Sequence, residues 1–499
     1  MRHERFGKQS EQQAMTISAN LQELKKSTDF LIYHQEKKPQ PYSISYYKSL
    51  IDPEILHRDI LPYLNSESVT SLSKLCEQIP ITDKKISCDW KEIEEKILRG
   101  NVLIQFSEHE CLLVEAALFE GRETNAPEVE FSVVGPKEAF VELLDRNMNL
   151  IRKRLPTPKL RFKEIIISEL SKVRVVICYI DGITNEEYVN TMTQRLMDIE
   201  FDFIMDSTML IQMIEDNSKS LFPQLVETER PDRVASLLAY GQVAVLVDGS
   251  PNAILGPAPL AGFFVAYEDY YLPWNMASFF RLIRIFGVIF SIVATSLYIA
   301  ILTYHSEIIP NNLLKTIISS RVNIPFSPFV EVIIMELSIE LLRESSIRLP
   351  LRGGQTIGTV GGIVLGTAAV QASLSSNILL ILVALSALAS FTTPLYRMSN
   401  TIRVLRFFLI ITAQVWGLLG IFICGMFILC HLLRLKSLGI PYLVPFYPLR
   451  TTDFEDSLVR TPYSHFSLRP GFFRTKNPRA FDGKNAKAKK DKVRIDVDE

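Results

Sequence analysis

Three long apolar runs in the second half of the chain constrain its fold more than any other feature. The runs Ile285–Tyr304, Ile378–Tyr396 and Phe407–Leu433 contain no Lys, Arg, Asp or Glu. A helix with a rise of about 1.5 Å per residue needs about 20 residues to cross a hydrocarbon core about 30 Å thick. Core helices of soluble proteins rarely sustain such runs, so the sequence predicts an all-α multi-span membrane domain over residues 281–435.

The first 280 residues differ in composition and predict an α/β cytoplasmic N-terminal region. Apolar runs of strand length, such as NVLIQF and KVRVVICYI, alternate there with helical patterns. This alternation predicts two α/β subdomains, one over residues 41–125 and one over residues 126–280. Residues 1–40 predict a flexible lead-in, and residues 436–499 predict a polar, basic tail whose lysines are either solvated or in contact with lipid headgroups.

The overall charge and the cysteines exclude several classes of function. The formal net charge is −1, which does not indicate a nucleic-acid partner. The six cysteines include no CxxC pair and no histidine at zinc-finger spacing, so we expect reduced thiols and no metal. HExxH, GxSxG and P-loop motifs are absent, which predicts no cofactor and no enzyme. The polar N-terminus predicts no cleavable signal peptide, so we expect the soluble region to stay in the cytoplasm.

A segment between the first two apolar runs carries charge where charge is costly. Residues 326–348 are apolar enough for a membrane but include Glu331, Glu336, Glu340 and Glu344. The last three glutamates are four residues apart, so a helix aligns them in one stripe. A carboxylate at membrane depth costs a few kcal/mol and persists mainly beside a pore, a wet cavity or a cation.

This stripe predicts an ion path formed by the four glutamates. In a ring of identical subunits the stripe forms stacked acidic rings, which attract cations and repel anions. Two other interpretations remain open. The helix can lie at the membrane interface with its acids in water. Its glutamates can also pair locally with arginine, for example Arg343, without any pore.

A glycine ladder follows the acidic segment. Gly354, Gly358, Gly362 and Gly366 are four residues apart and form overlapping GxxxG motifs on one helix face. Such a face allows another helix backbone to approach closely. The approaching helix belongs either to the same chain or to another subunit.

The arginines give a test of topology. They form two clusters, one of Arg343, Arg348 and Arg352 and one of Arg397, Arg403 and Arg406. Positive loops stay on the cytoplasmic side, so a fully crossing acidic helix places both clusters there. A single crossing by Phe407–Leu433 then leaves the basic tail outside, and only a re-entrant final segment brings it back.

Short motifs in a fixed order between residues 133 and 445 complete the sequence evidence. In the soluble region they are Gly135-Pro136-Lys137-Glu138, Thr228-Glu229-Arg230-Pro231-Asp232, VAVLVDGSP with Asp248, Gly249 and Pro251, and Asp269-Tyr270-Tyr271. In the membrane region they are Met335-Glu336, Glu340 to Glu344, Arg348-Leu349-Pro350 and Gly354 to Gly358. In this order they resemble the A subunits of the bacterial spore germinant receptors, the GerA family. Val134 and Gln242 stand where that family usually has arginine.

The resemblance implies a membrane subunit of a nutrient receptor in the inner membrane of a dormant spore. It implies a transporter-like B subunit and a lipoprotein C subunit as partners. It also implies a homo-oligomer that conducts monovalent cations when nutrient binds. Two alternatives are an anchored scaffold subunit and a sporulation paralogue associated with the dipicolinic acid channel, which shares these motifs.

Overall fold

The computed structural model describes residues 17, 19–36, 41–65, 71–106, 110–118, 127, 130, 132–347, 361–364, 366–463 and 466–481. The chain divides into two compact units. The first, which we call the α/β unit, contains Met1–Ser218, Leu225–Pro257 and Phe466–Glu499. The second, which we call the helical unit, contains Lys219–Gln224 and Ala258–His465.

The first subdomain of the α/β unit is a five-stranded antiparallel sheet covered on both faces. Its strands are β1 (Phe30–Gln35), β2 (Tyr42–Tyr47), β3 (Lys84–Ser87), β4 (Asn101–Gln105) and β5 (Cys111–Glu115), in the spatial order β1-β2-β4-β5-β3. Side chains alternate across β4, so Val102 and Ile104 enter one core and Leu103 enters the other.

Helices cover both faces of this sheet. The helical turns Pro53–Ile55, Leu56–Ile60 and Leu61–Leu64 precede helices α1 (Leu72–Gln78) and α2 (Trp90–Ile97). Leu56, Ile60, Leu72 and Leu75 pack on one face, and Ile93 and Ile97 pack on the other. The sequence predicts a flexible lead-in over residues 1–40, whereas the structure places Phe30–Gln35 in the sheet and buries Leu21 and Leu24. The strand was not recognised in the sequence because β1 lies at the edge of the sheet and buries only Phe30, so its apolar residues show no clear alternation.

The second subdomain repeats this architecture with a longer sheet. Its strands are β6 (Leu160–Ile167), β7 (Val173–Ile180), β8 (Val226–Thr228), β9 (Val243–Val247) and β10 (Ala253–Gly256), all antiparallel, in the order β6-β7-β9-β10-β8. Its helices are α3 (Leu144–Arg154), α4 (Glu186–Met197), α5 (Ser207–Ile214) and α6 (Pro231–Ala239). Every residue of β9 is buried, as its continuous apolar run predicts.

Five longer helices lie in the described residues of the helical unit. They are α7 (Trp274–Tyr304), α8 (Asn311–Arg321), α9 (Pro328–Ile347), α10 (Asn377–Ser390) and α11 (Tyr396–Arg434), and helical turns also cover the described residues between Gly361 and Gln371. Among the described residues, α7 and α11 are long and apolar enough to cross a membrane. That the domain crosses the membrane more than twice stays a prediction. Helix α10 ends well before Tyr396, because Pro394 cannot continue a helix.

The contacts of α7 show how the helices run. Ser376, at the start of α10, contacts Tyr298 near the end of α7, and Ser386 donates to the Ser291 carbonyl. Helix α10 therefore runs antiparallel to α7. A Cβ atom on Gly287 would lie 3.1 Å from Thr392 Oγ1, so glycine permits this close approach.

The segment after α11 is partly packed, although the sequence predicts only a polar, basic tail over residues 436–499. It forms the strand pair β11 (Lys436–Ser437) and β12 (Ile440–Pro441). Tyr442 is fully buried, and its hydroxyl donates to the Pro223 carbonyl. The apolar cluster LGIPYLVPF within this segment accounts for the burial, because it removes enough apolar surface from water to order the chain.

Candidate functional site

Glu331, Glu336 and Glu340 of α9 form ion pairs inside the helical unit. Glu336 lies 2.8 Å from Arg406, and Glu340 lies 2.8 Å from Arg403. The two glutamates are four residues apart and the two arginines are three apart, so both pairs join α9 to α11 at successive turns. The arginines of these three pairs belong to α8 and α11. The ion path along the glutamate stripe stays a prediction.

Arg406 is the hub of this arrangement. Its side chain is 2% exposed, and that of Glu336 is 1% exposed. The second guanidinium nitrogen donates to Ser291 Oγ at 2.5 Å and to the Ser386 carbonyl at 3.3 Å. One side chain therefore connects α7, α9, α10 and α11. Removal of one partner from a buried pair leaves an uncompensated charge, which costs about 3–5 kcal/mol.

Glu331 anchors the beginning of α9. Its side chain is fully buried, and one carboxylate oxygen accepts the backbone N–H of Ser376 at 2.6 Å. The other oxygen lies 3.3 Å from Arg321 Nε at the end of α8. The carboxylate therefore satisfies a backbone donor at the N-terminus of α10, where negative charge is stabilising.

Exposure increases along α9 from its beginning to its end. The side chain of Glu340 is 29% exposed, that of its partner Arg403 is 15% exposed, and Glu344 lies on the surface of the chain. Arg403 also hydrogen-bonds Asn400 on its own helix. Arg343 lies 5.1 Å above the Phe391 ring, at the same end of the helices as Arg403. The glutamate side chains are thus buried near the start of α9 and exposed to solvent near its end.

The glycine ladder is described in part, because Gly354 and Gly358 lie outside the described residues. A Cβ atom on Gly366 would lie 3.6 Å from Leu380 of α10, so this glycine packs within the chain. No described atom lies within 4 Å of the Cβ position of Gly362. Ile363 and Val364 beside it are 62% and 58% exposed. Among the described residues, therefore, none packs against the Cβ position of Gly362.

The motif residues Glu229 to Asp232 form a buried hydrogen-bond network in the α/β unit, which we call the soluble lock. Arg230 donates to both carboxylate oxygens of Asp232, at 3.1 and 2.7 Å, and to the Pro136 carbonyl at 3.3 Å. Glu229 accepts the backbone N–H of Glu130 at 3.1 Å. Pro231 begins α6, where its missing N–H costs nothing.

Glu130 extends this lock beyond the sequence motif. It accepts from Thr228 Oγ1 at 3.0 Å and from Arg233 at 3.2 Å. Burial raises the pKa of Glu130, while Arg233 and Thr228 act in the opposite direction. Sequence spacing gave no signal for Glu130, since about a hundred residues separate it from its partners.

Asp248 and Gly249, of the motif VAVLVDGSP, contact the start of α3. Asp248 accepts the N–H of Leu144 at 3.3 Å, the first residue of that helix. Gly249 donates to the Glu142 carbonyl at 2.8 Å and has φ +82°, as its turn requires. Pro251 continues the turn between β9 and β10, and Gly135, before Pro136, has φ +109°. The motifs are thus structural contacts of the second subdomain.

Two further buried clusters were not singled out as sites by the sequence. Arg152 donates to both carboxylate oxygens of Asp29, at 3.0 and 2.9 Å, and lies 4.0 Å from the centre of the Tyr47 ring. This pair joins the two soluble subdomains. Sequence spacing gave no signal for this pair, because 123 residues separate Asp29 from Arg152.

The second cluster lies where α7 begins. Asp269 accepts from Arg281 at 3.0 Å and from Arg284 at 3.0 Å, and Arg281 also lies 2.9 Å from Asp456. Tyr270 donates to Asp456 at 2.5 Å. Burial raises the pKa of Asp456, and Arg281 lowers it. Arginines three residues apart at the edge of an apolar run are the sequence signal for this cluster.

Comparisons with known proteins agree on one family. The model of the Bacillus/Clostridium GerA spore germination protein family matches residues 19–472. The spore germination protein GerQA of Bacillus cereus is 46% identical over 99% of each chain. The spore germination protein A1 of Bacillus subtilis (strain 168) is 39% identical over 84% of this chain and 87% of that protein.

Among solved structures, the chain is similar to the N-terminal domain of the A subunit of the Bacillus megaterium spore germinant receptor GerK3. That similarity covers 48% of this chain and 93% of the domain, with a TM-score of 0.38 and 23% identity. The family match extends over both units of the chain. The chain belongs to the GerA family of spore germination proteins.

Proposed function

We propose that the chain is the A subunit of a spore nutrient receptor and oligomerises into a ligand-gated path for cations. It works in the inner spore membrane with a transporter-like B subunit and a lipoprotein C subunit, with the α/β unit on the cytoplasmic side. The observation that carries this proposal is the row of Glu–Arg pairs between α9 and α11 in the helical unit.

The pairs give the path a closed state. In the single chain Arg406 and Arg403 neutralise the carboxylates of Glu336 and Glu340. A shift of α9 relative to α11 frees these carboxylates, and free carboxylates at membrane depth attract cations. The face at Gly362 and the exposed Glu344 are surfaces for a second copy of the chain.

Potassium release from spores tests this proposal. The variants are Glu340→Gln and the double variant Glu336→Gln with Glu340→Gln, in spores whose only receptor contains this chain. Glu307→Gln is the matched control, since Glu307 is exposed and lies outside α9. We expect slower or unregulated potassium release in rich nutrient medium for the α9 variants, with the receptor still present in the membrane. Unchanged release from the double variant contradicts the ion-path role.

A second candidate function is a membrane-anchored scaffold. It is favoured by the burial of Glu331 and Glu336, which need no path to be satisfied. This function predicts silent α9 variants and loss of the partner subunits when Arg230→Ala breaks the soluble lock. Co-purification of the partner subunits with each variant separates the two functions.

A further inference from the structure

Helix α11 is broken at one residue, Gly417. Its φ of 59° and ψ of −136° are not helical. Only glycine adopts such a conformation readily. A Cβ atom there would also lie 2.9 Å from the ring of Tyr304, closer than real Cβ atoms pack. Glycine is therefore required twice, for the backbone angle and for the contact.

The chain reverses direction at this break. A Cβ atom on Gly420 would lie 2.1 Å from the carbonyl oxygen of Thr412, and Cys424 lies beside the Thr412 side chain. In a straight helix, residues eight and twelve apart are separated by about 12 and about 18 Å along the axis. Residues 396–416 and 418–434 are thus two antiparallel arms, which we call the first and second arm.

The far ends of both arms lie at the same place. Thr401 in the first arm donates to the Leu221 carbonyl at 2.6 Å, and His431 in the second arm lies 2.9 Å from the Ser220 hydroxyl. Met398 and Leu432 line one apolar cavity of about 240 Å³. The arms therefore stay together over their whole length.

Helix α7 shows how far the arms extend through the membrane. Ile285 and Ile292, in the first part of its apolar run, line the same cavity as the far ends of the arms. Tyr304, at the end of that run, contacts the break, where its hydroxyl donates to the Gln414 carbonyl at 2.6 Å. This bond satisfies backbone that a break leaves without a helical partner, as a hydrocarbon environment requires. The arms, about 31 and about 25 Å long, thus match the length of the apolar run.

Side chains at the two ends fit this placement. Trp416 and Tyr304 at the break are 56% and 49% exposed, as is typical of aromatic residues at a membrane interface. Arg397 begins the first arm, and Arg434 ends the second. Basic residues on both ends and none at the break favour one cytoplasmic side for both ends.

We propose that residues 396–434 cross the membrane twice as a hairpin, so that the segment after α11 returns to the side where α7 begins. The contact of Asp456 with Arg281, 2.9 Å apart, supports this independently, since it holds the returning segment at the start of α7. The proposal does not depend on ion conduction. A second crossing brings the tail back to the side on which the two arginine clusters are expected.

Disulfide formation tests the turn in the full chain. In a variant that keeps only Cys424 of its native cysteines, Thr412→Cys forms an intramolecular disulfide upon mild oxidation, because the two residues are in contact. A cysteine at Phe408, one turn further from the break, is the matched control and forms much less. Free thiols at both residue 412 and Cys424 after oxidation of the folded protein overturn the hairpin.

Labelling with a membrane-impermeant maleimide tests the crossing. Single cysteines replace Met276 at the start of α7, Glu307 after its end, and Lys436 after the second arm, in an otherwise cysteine-free chain. In sealed vesicles of either orientation we expect residue 436 to react together with residue 276 and opposite to residue 307. Reaction of residue 436 together with residue 307 shows a single crossing and overturns the proposal.

Discussion

Both units bury an arginine–carboxylate pair, but they hold it differently. In the α/β unit, Asp29 accepts from both Ser27 and Ser49 hydroxyls as well as from two nitrogens of Arg152. In the helical unit, Glu336 is joined to Arg406 by one contact of 2.8 Å. The first pair is fixed by several bonds in a fork geometry. The second joins Glu336 to Arg406 through one direct contact, while the rest of the Arg406 guanidinium is held by Ser291 and the Ser386 carbonyl.

The largest effect is expected in the α/β unit. Arg152→Ala leaves Asp29 buried without a counter-charge and lowers the free energy of unfolding of this unit by about 3–5 kcal/mol. Arg152→Lys recovers little of the lost free energy, since an ammonium group cannot reproduce the bidentate contact with Asp29. Urea unfolding followed by Trp90 fluorescence, with Trp274 and Trp416 replaced by Phe, measures the change. Arg99→Ala is the control, because the Arg99–Glu95 pair is on the surface.

The second-largest effect is expected for the Glu336–Arg406 pair of the helical unit. Glu336→Gln leaves Arg406 without its carboxylate and destabilises the helices by about 3 kcal/mol. Glu336→Leu combined with Arg406→Met recovers most of this loss, because an apolar pair has no charge to compensate. Thermal unfolding in detergent gives the stability, and potassium release gives the activity. A stable double variant with normal potassium release would remove any functional role for the pair.

A smaller effect is expected from Glu340→Gln. Glu340 and Arg403 are both partly exposed, so water screens their interaction and the loss of stability is about 1 kcal/mol. The same thermal measurement, repeated at high salt, should show a smaller difference from the unchanged protein. If Glu340→Gln destabilises the unit as much as Glu336→Gln, the gradient of burial along α9 does not govern the pair energies.

The smallest effect on the single chain is expected at Gly362. The Cβ atom of a leucine at residue 362 meets no described atom within 4 Å, so we expect Gly362→Leu to change stability by about 0.5 kcal/mol or less. Gly366→Leu is the comparison, since its side chain must displace Leu380 of α10. Cross-linking in membranes measures self-association of both variants. Weaker association of the Gly362 variant alone indicates an interface between subunits, whereas unchanged association excludes this face.

Local sequence patterns predicted the helices and strands better than they predicted which residues contact each other. The continuous apolar run of β9 and the i, i+4 glutamates of α9 were recognisable because their periods follow from strand and helix geometry. Which arginine meets Glu336 was not predictable, since seventy residues separate it from Arg406 and the nearer Arg343 looked equally suitable. Buried pairs such as Asp29–Arg152 are invisible for the same reason.

The sequence by itself determined that a charged α/β region precedes a helical region with apolar runs, and that α9 carries carboxylates where they are costly. These properties depend on composition and period, which are local. Only the tertiary structure decided that the last run turns back at Gly417 and that arginines of other helices neutralise α9. A glycine in an apolar run looks like any packing glycine, and its left-handed angle becomes favourable only once Tyr304 and the second arm are in place.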